Sequence, residues 1–239
     1  MRTVAMRVRL RWLEALLAMS MLAGCAARPP QHGAAETLRY LALGDSYTIG
    51  EGVPPEGRWP VQLAHALRAD GIALGDPRII ATTGWTTDQL DAAIDAAQPP
   101  GDYDFVSLLI GVNNQYRGSD LDNYRKEFSA LLERALGFAG GHSDRVLVLS
   151  IPDWSVTRFG RESGRDTTVI ARELDAYNAA AHAICATRGV AFVDITQVSR
   201  ERGAEAAMLA DDGLHPSAMM YAQWARLALP VAQRQLAPR

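Results

Sequence analysis

Tyr40-Leu41-Ala42-Leu43-Gly44-Asp45-Ser46-Tyr47-Thr48-Ile49-Gly50-Glu51-Gly52 is the stretch on which the fold turns. Its apolar run stops abruptly at Gly44-Asp45-Ser46, as a buried strand does when its carboxyl end delivers one hydroxyl to a cleft. Ser46 is therefore the candidate nucleophile. One serine among eleven says little alone, because most serines cap helices or close turns. What singles out Ser46 lies at the far end of the chain, where Asp211-Asp212-Gly213-Leu214-His215-Pro216-Ser217 precedes an amphipathic stretch. An acid and an imidazole three residues apart in one loop can supply a general base and its orienting partner.

Outward from Ser46 the chain alternates between two periods. Strands are expected at residues 38–43, 78–81, 105–110, 146–150 and 191–194. Between and after them, apolar residues at helical spacing predict helices over 59–69, from Thr86 or Thr87 to Pro99-Pro100, over 121–138, from a Thr167 cap to 187, and over 217–235. Residues 151–166 read as a loop. This βαβα order predicts a five-stranded parallel sheet, order 2-1-3-4-5, with helices on both faces. Ser46, Gly84, Asn113 and the Trp154 loop then all fall just past strand carboxyl ends, where open α/β sheets bind ligands.

Composition narrows the chemistry. With 239 residues, 48% hydrophobic, the chain suits one sizeable α/β domain. A net charge of -3 gives no electrostatic reason to expect nucleic acid, and a neutral small molecule is the expected partner. The five histidines, His32, His65, His142, His182 and His215, lack close His or Cys companions at metal-site spacing, so neither a metal nor another cofactor is expected. No Gly-Lys-Ser/Thr follows the first strand, which excludes a phosphate loop.

Gly44-Asp45-Ser46, Gly84, Gly111-Val112-Asn113 and Asp212-Gly213-Leu214-His215 occur in the order of the four blocks of the GDSL/SGNH hydrolases, and the chain resembles that family from about residue 38 to 229. The resemblance implies a flavodoxin-like three-layer α/β/α sandwich and a serine hydrolase of carboxylic esters. On it, Ser46 is the nucleophile, His215 the base and Asp212, rather than its neighbour Asp211, the acid that orients the imidazole. The Ser46 and Gly84 amides and the Asn113 side chain form the oxyanion hole. Asp45 is expected to bond backbone amides and fix the nucleophile turn rather than to join the triad. Members of the family often carry Asp where this chain has Asn114, which bears on local loop hydrogen bonding. Tyr47, Trp85, Tyr116, Trp154 and Phe159 are candidates to line a substrate pocket, and Arg117 either meets an anionic substrate group or is solvated. Lipid, lysophospholipid or short-chain acyl esters are the expected substrates, with O-acetylated glycans as an alternative. The rival from another class is an envelope-anchored binding protein that keeps the fold without turnover.

The start of the chain carries Arg2, Arg7, Arg9 and Arg11 ahead of an apolar run from Ala15 to Ala23, too short to span a bilayer as a mature helix. Residues 1–24 read as an export signal. Leu22-Ala23-Gly24-Cys25 resembles a bacterial lipobox, which implies cleavage before Cys25 and lipidation of its thiol, with a cell-envelope location facing the periplasm or exterior. Ordinary signal cleavage near Ala26-Ala27, giving a soluble exported protein, is the alternative. Residues 25–36 read as a tether and 37–239 as the hydrolase domain. The remaining cysteine, Cys185, then has no partner and is expected as a small apolar core residue.

Overall fold

A computed structural model describes residues 37–237. The expected leader, Cys25 and the tether lie outside the described residues. Five strands, β1 (Tyr40–Gly44), β2 (Arg78–Ala81), β3 (Phe105–Leu109), β4 (Val146–Leu149) and β5 (Ala191–Val193), form one parallel sheet in the order β2-β1-β3-β4-β5. The sheet order is the one expected from the sequence. β1, β3 and β4 are buried along their whole length, which is why they read as continuous apolar runs, whereas the edge strands β2 and β5 are partly exposed. Ser107, the polar residue inside β3, is satisfied by a 2.9 Å hydrogen bond with the Tyr40 hydroxyl.

The helices are α1 (Ser46–Ile49), α2 (Trp59–Ala69), α3 (Thr87–Ala97), α4 (Val112–Tyr116), α5 (Leu121–Phe138), α6 (Arg158–Glu162), α7 (Thr167–Thr187), α8 (Thr196–Arg202) and α9 (Ala218–Leu236). They cover the sheet in two groups, α2 packing on α9, and α5 packing on both α3 and α7. In α2, Trp59 and Pro60 of the first turn are buried, and the apolar spacing that follows buries Leu63, Ala64 and Leu67. Arg134 of α5 bridges Asp91 and Asp95 of α3 at 2.7 and 2.6 Å. Cys185 is fully buried in α7, and burial pushes its thiol up to about 12, so it behaves as a core residue.

Three local expectations are corrected. The segment 151–166 is not all loop: it holds a 3-10 turn at Trp154–Val156 and α6, whose Thr157 cap accepts the Gly160 amide at 3.0 Å. A helix of five residues is too short to show a period. Asp166, not Thr167, caps α7, its carboxylate accepting the Thr168 amide at 2.8 Å. Leu38 lies outside β1, in an isolated bridge to Leu74.

At the carboxyl end of β1, Gly44 pairs with Ala81 on one side and Leu109 on the other. A β-carbon there would lie 2.2 Å from Thr48 Oγ1 and 2.5 Å from the Leu109 carbonyl, so only glycine lets α1 fold back this tightly over the strand end. Gly44→Ala is expected to destabilise the protein by about 1–3 kcal/mol in urea unfolding, the usual cost of overpacking a filled core; an unchanged midpoint would show that the turn has room to give.

Candidate active site

The nucleophile turn is built by Asp45. Its carboxylate accepts the Tyr47 amide at 3.0 Å, its carbonyl accepts the Thr48 and Ile49 amides, and Gly50 ends α1 in the left-handed region. Ser46 is the first residue of α1, so its N–H has no carbonyl one turn behind it. Asp45 is fully buried, and its Oδ2 has no hydrogen-bond partner among the described residues. Burial raises its carboxyl to about 7, although the Tyr47 amide pulls the other way.

At the other end of the chain a tight hairpin presents the acid and the imidazole. Leu209 and Pro216 bridge antiparallel, and the Ala210 amide donates to the His215 carbonyl at 2.7 Å. Inside the hairpin, Asp212 Oδ1 accepts the Leu214 and His215 amides at 2.8 and 2.9 Å, and Oδ2 lies 2.5 Å from His215 Nδ1. Partial burial by itself would raise the Asp212 carboxyl, but the His215 imidazole and the two amides outweigh it and hold it below its ordinary value. Asp211 takes part through its carbonyl, which accepts Arg158 Nη2 at 2.8 Å. The Phe159 amide donates to the Gly213 carbonyl at 3.0 Å. Thus α6 grips the hairpin at the carbonyls on both sides of Asp212. With Nδ1–H given to Asp212, Nε2 is the nitrogen left to take a proton.

Ser46, Gly84, Asn113 and His215 border one cleft of about 240 Å³. Among the described residues the Ser46 hydroxyl makes no hydrogen bond to the imidazole, in keeping with catalytic contacts that close only around substrate. Gly84 sits at φ +87, which favours glycine, and its carbonyl is held by Arg117 Nη2 at 2.7 Å. Arg117 is therefore a strut for this loop rather than merely solvated. The Gly84 N–H has no partner among the described residues. Asn113 Nδ2 donates one hydrogen to the Trp85 carbonyl at 2.9 Å, which orients the amide and leaves its second hydrogen free to donate. Asn114 bonds the Thr87 amide and hydroxyl at 3.1 and 2.7 Å, so the loop is fully tied with Asn there.

Of the aromatic residues expected at the cleft, Tyr47, Tyr116, Trp154 and Phe159 line it. Trp85 does not: its ring packs on the core, and only its carbonyl serves the site, through Asn113. Tyr47 is buried with its ring edge-on to His215, 5.9 Å between centroids. Thr83, Val112 and Leu214 complete the lining; Val112 and Leu214 lie inside the quoted motifs but carry no assigned role there, and Thr83 adjoins Gly84. Among the described residues there is no His, Cys, Asp or Glu group able to hold a metal ion.

A model of the GDSL-like Lipase/Acylhydrolase family matches residues 42–223. Among curated proteins none matches the sequence. Solved structures share the fold at low identity. TesA is 19% identical over 83% of this chain and 99% of its own, with a TM-score of 0.64. A lipase/acylhydrolase from Enterococcus faecalis is 21% identical over 84% and 99%, TM-score 0.62. A variant of Axe2, an acetyl xylan esterase from Geobacillus stearothermophilus, is 24% identical over 84% and 94%, TM-score 0.59.

The Asp45 carboxyl carries a pH signature. Unfolded it titrates near its ordinary 3.8, folded near 7, so the native state holds the proton more tightly. Its contribution to stability is intact below about pH 4 and is lost as pH rises to about 7. Asp45→Asn, which cannot ionise, is expected to stabilise the protein at pH 8 by about 1–3 kcal/mol. That is less than the ~4 kcal/mol of a three-unit shift, because the new amide nitrogen would be as unpartnered as Oδ2 is now. The gain should vanish below about pH 4; chemical unfolding across this range checks it, and a gain independent of pH would contradict it.

Proposed function

The chain belongs to the GDSL-like lipase/acylhydrolase family, whose members hydrolyse carboxylic esters, and on that footing we propose that it cleaves small acyl esters through an acyl-serine intermediate. The observation that carries this is the shared cleft, with a hydroxyl from residue 46 and an acid-held imidazole from residue 215 on its walls. His215 Nε2 takes the Ser46 proton as Oγ attacks the ester carbonyl, and Asp212 stabilises the imidazolium that forms. The Ser46 and Gly84 amides and Asn113 Nδ2 receive the charge that develops on the carbonyl oxygen. His215 then protonates the departing alcohol, and water repeats the sequence in reverse to release the acid.

A cleft of about 240 Å³ falls below the roughly 300–1,000 Å³ that drug-sized ligands occupy, which favours a short acyl group over a long lipid tail. A second reading, an O-acetylated glycan, is favoured by Tyr116, half-exposed at the rim as a face on which a sugar ring can stack. Acetyl xylan is what the name of one structural neighbour assigns to that enzyme.

We also propose that residues 1–24 export the protein and that a lipid on Cys25 anchors it to the cell envelope, with residues 25–36 as the tether. The support is the basic-then-apolar leader and its lipobox-like end. Among the described residues no helix is long and apolar enough to cross a membrane.

On short nitrophenyl esters, Ser46→Ala and His215→Ala are expected to lower kcat by about 10⁴-fold or more, and Asn113→Ala by about 10²–10³. An Asn113→Ala enzyme with wild-type kinetics would remove that side chain from the oxyanion hole, and a fully active Ser46→Ala would end the acyl-serine proposal. Radiolabelled palmitate should mark the cell-expressed protein and leave Cys25→Ser unmarked; equal labelling would place the lipid elsewhere.

A further inference from the structure

Arg165, in the short connection between α6 and α7, is outside every motif identified in the sequence. It nonetheless closes a network around the aromatic wall of the cleft. Its guanidinium lies over the Tyr116 ring at 5.7 Å and over the Trp154 ring at 5.4 Å. Nη1 donates to the Tyr116 carbonyl at 3.2 Å, and Nη2 donates to Glu173 Oε2 of α7 at 3.3 Å. The same carboxylate oxygen accepts Gln115 Nε2 at 2.7 Å, and Gln115 Oε1 accepts the Trp154 indole N–H at 2.9 Å. Trp154 is thus doubly fixed and buried.

Tyr116 is different. It is 48% exposed, and its ring is held by an edge contact with Trp154, 5.5 Å between centroids, and by Arg165. We infer that Arg165 is a specificity-determining residue: by pinning the Tyr116 ring against Trp154 it fixes the width of the cleft and so the length of acyl chain admitted. This deepens the ester-hydrolase proposal and rests on it. The effect belongs to substrate fit, because Arg165 touches neither Ser46 nor the Asp212–His215 pair. A planar guanidinium satisfies both rings, the carbonyl and the carboxylate at once, which a lysine ammonium cannot do.

The test compares nitrophenyl acetate with nitrophenyl octanoate. Arg165→Ala is expected to raise the octanoate-to-acetate ratio of kcat/KM by about three- to tenfold through KM, with kcat on acetate within about twofold of wild type. Arg165→Lys should fall between the two and serves alone if the alanine variant does not fold. In a Tyr116→Ala background, replacing Arg165 should leave the ratio where Tyr116→Ala puts it, since the arginine acts through that ring. A wild type that turns over acetate but whose ratio is unmoved by Arg165→Ala, or moved equally with and without Tyr116, would overturn the inference alone. A wild type that turns over neither ester would overturn it together with the ester-hydrolase proposal.

Discussion

Everything in the site depends on the parallel register of β1 between β2 and β3. Because Gly44 pairs with Ala81 and with Leu109, three strands end at one level, and the segments leaving them begin side by side. Ser46, Gly84 and Asn113 each follow one of those ends within a few residues. None of the three could be moved by one position without losing its place at the cleft, since a one-residue slip along a strand also turns every side chain to the other face. The sheet, whose burial makes that slip costly, is what gives three short loops a common geometry.

The fourth wall comes from a segment that the sheet does not place directly. The hairpin carrying Asp212 and His215 closes on itself, and its outward attachments on the α6 side run through main-chain carbonyls, to Arg158 and to the Phe159 amide. Since α6 also contributes the Phe159 ring to the cleft, the same short helix holds the imidazole-bearing turn and shapes the pocket before it. Neutral donors and one carboxylate–imidazole pair surround a small apolar space. In such surroundings hydrogen bonds to developing charge act more strongly than they would in water.

The sequence made the sheet order and the long helices legible because β1, β3 and β4 are buried on both faces and α2, α5 and α9 repeat their apolar positions over several turns. It did not show α1, α4, α6 or α8. Each has seven residues or fewer, with too little length for a period and with boundaries set by side-chain caps or tertiary contacts. In the site, polar residues within ordered blocks could be named, but direction could not. Trp85 turns its ring to the core and lends only a carbonyl, while Arg117 and Arg165 act as struts through partners 33 and 49 residues away in sequence. Spacing along a chain carries no record of such partners.

The most direct test of the proposed arrangement is a crystal structure of the protein after reaction with a small fluorophosphonate, whose tetrahedral phosphorus imitates the attacked carbonyl. The phosphorus should be bonded to Ser46 Oγ. One of its oxygens should lie within hydrogen-bonding distance of the Ser46 and Gly84 amides and Asn113 Nδ2, with the imidazole of His215 facing Oγ. A phosphonyl group on any other residue, or one on Ser46 whose oxygen points away from all three donors, would contradict the meeting of the two ends of the chain at a single reacting centre.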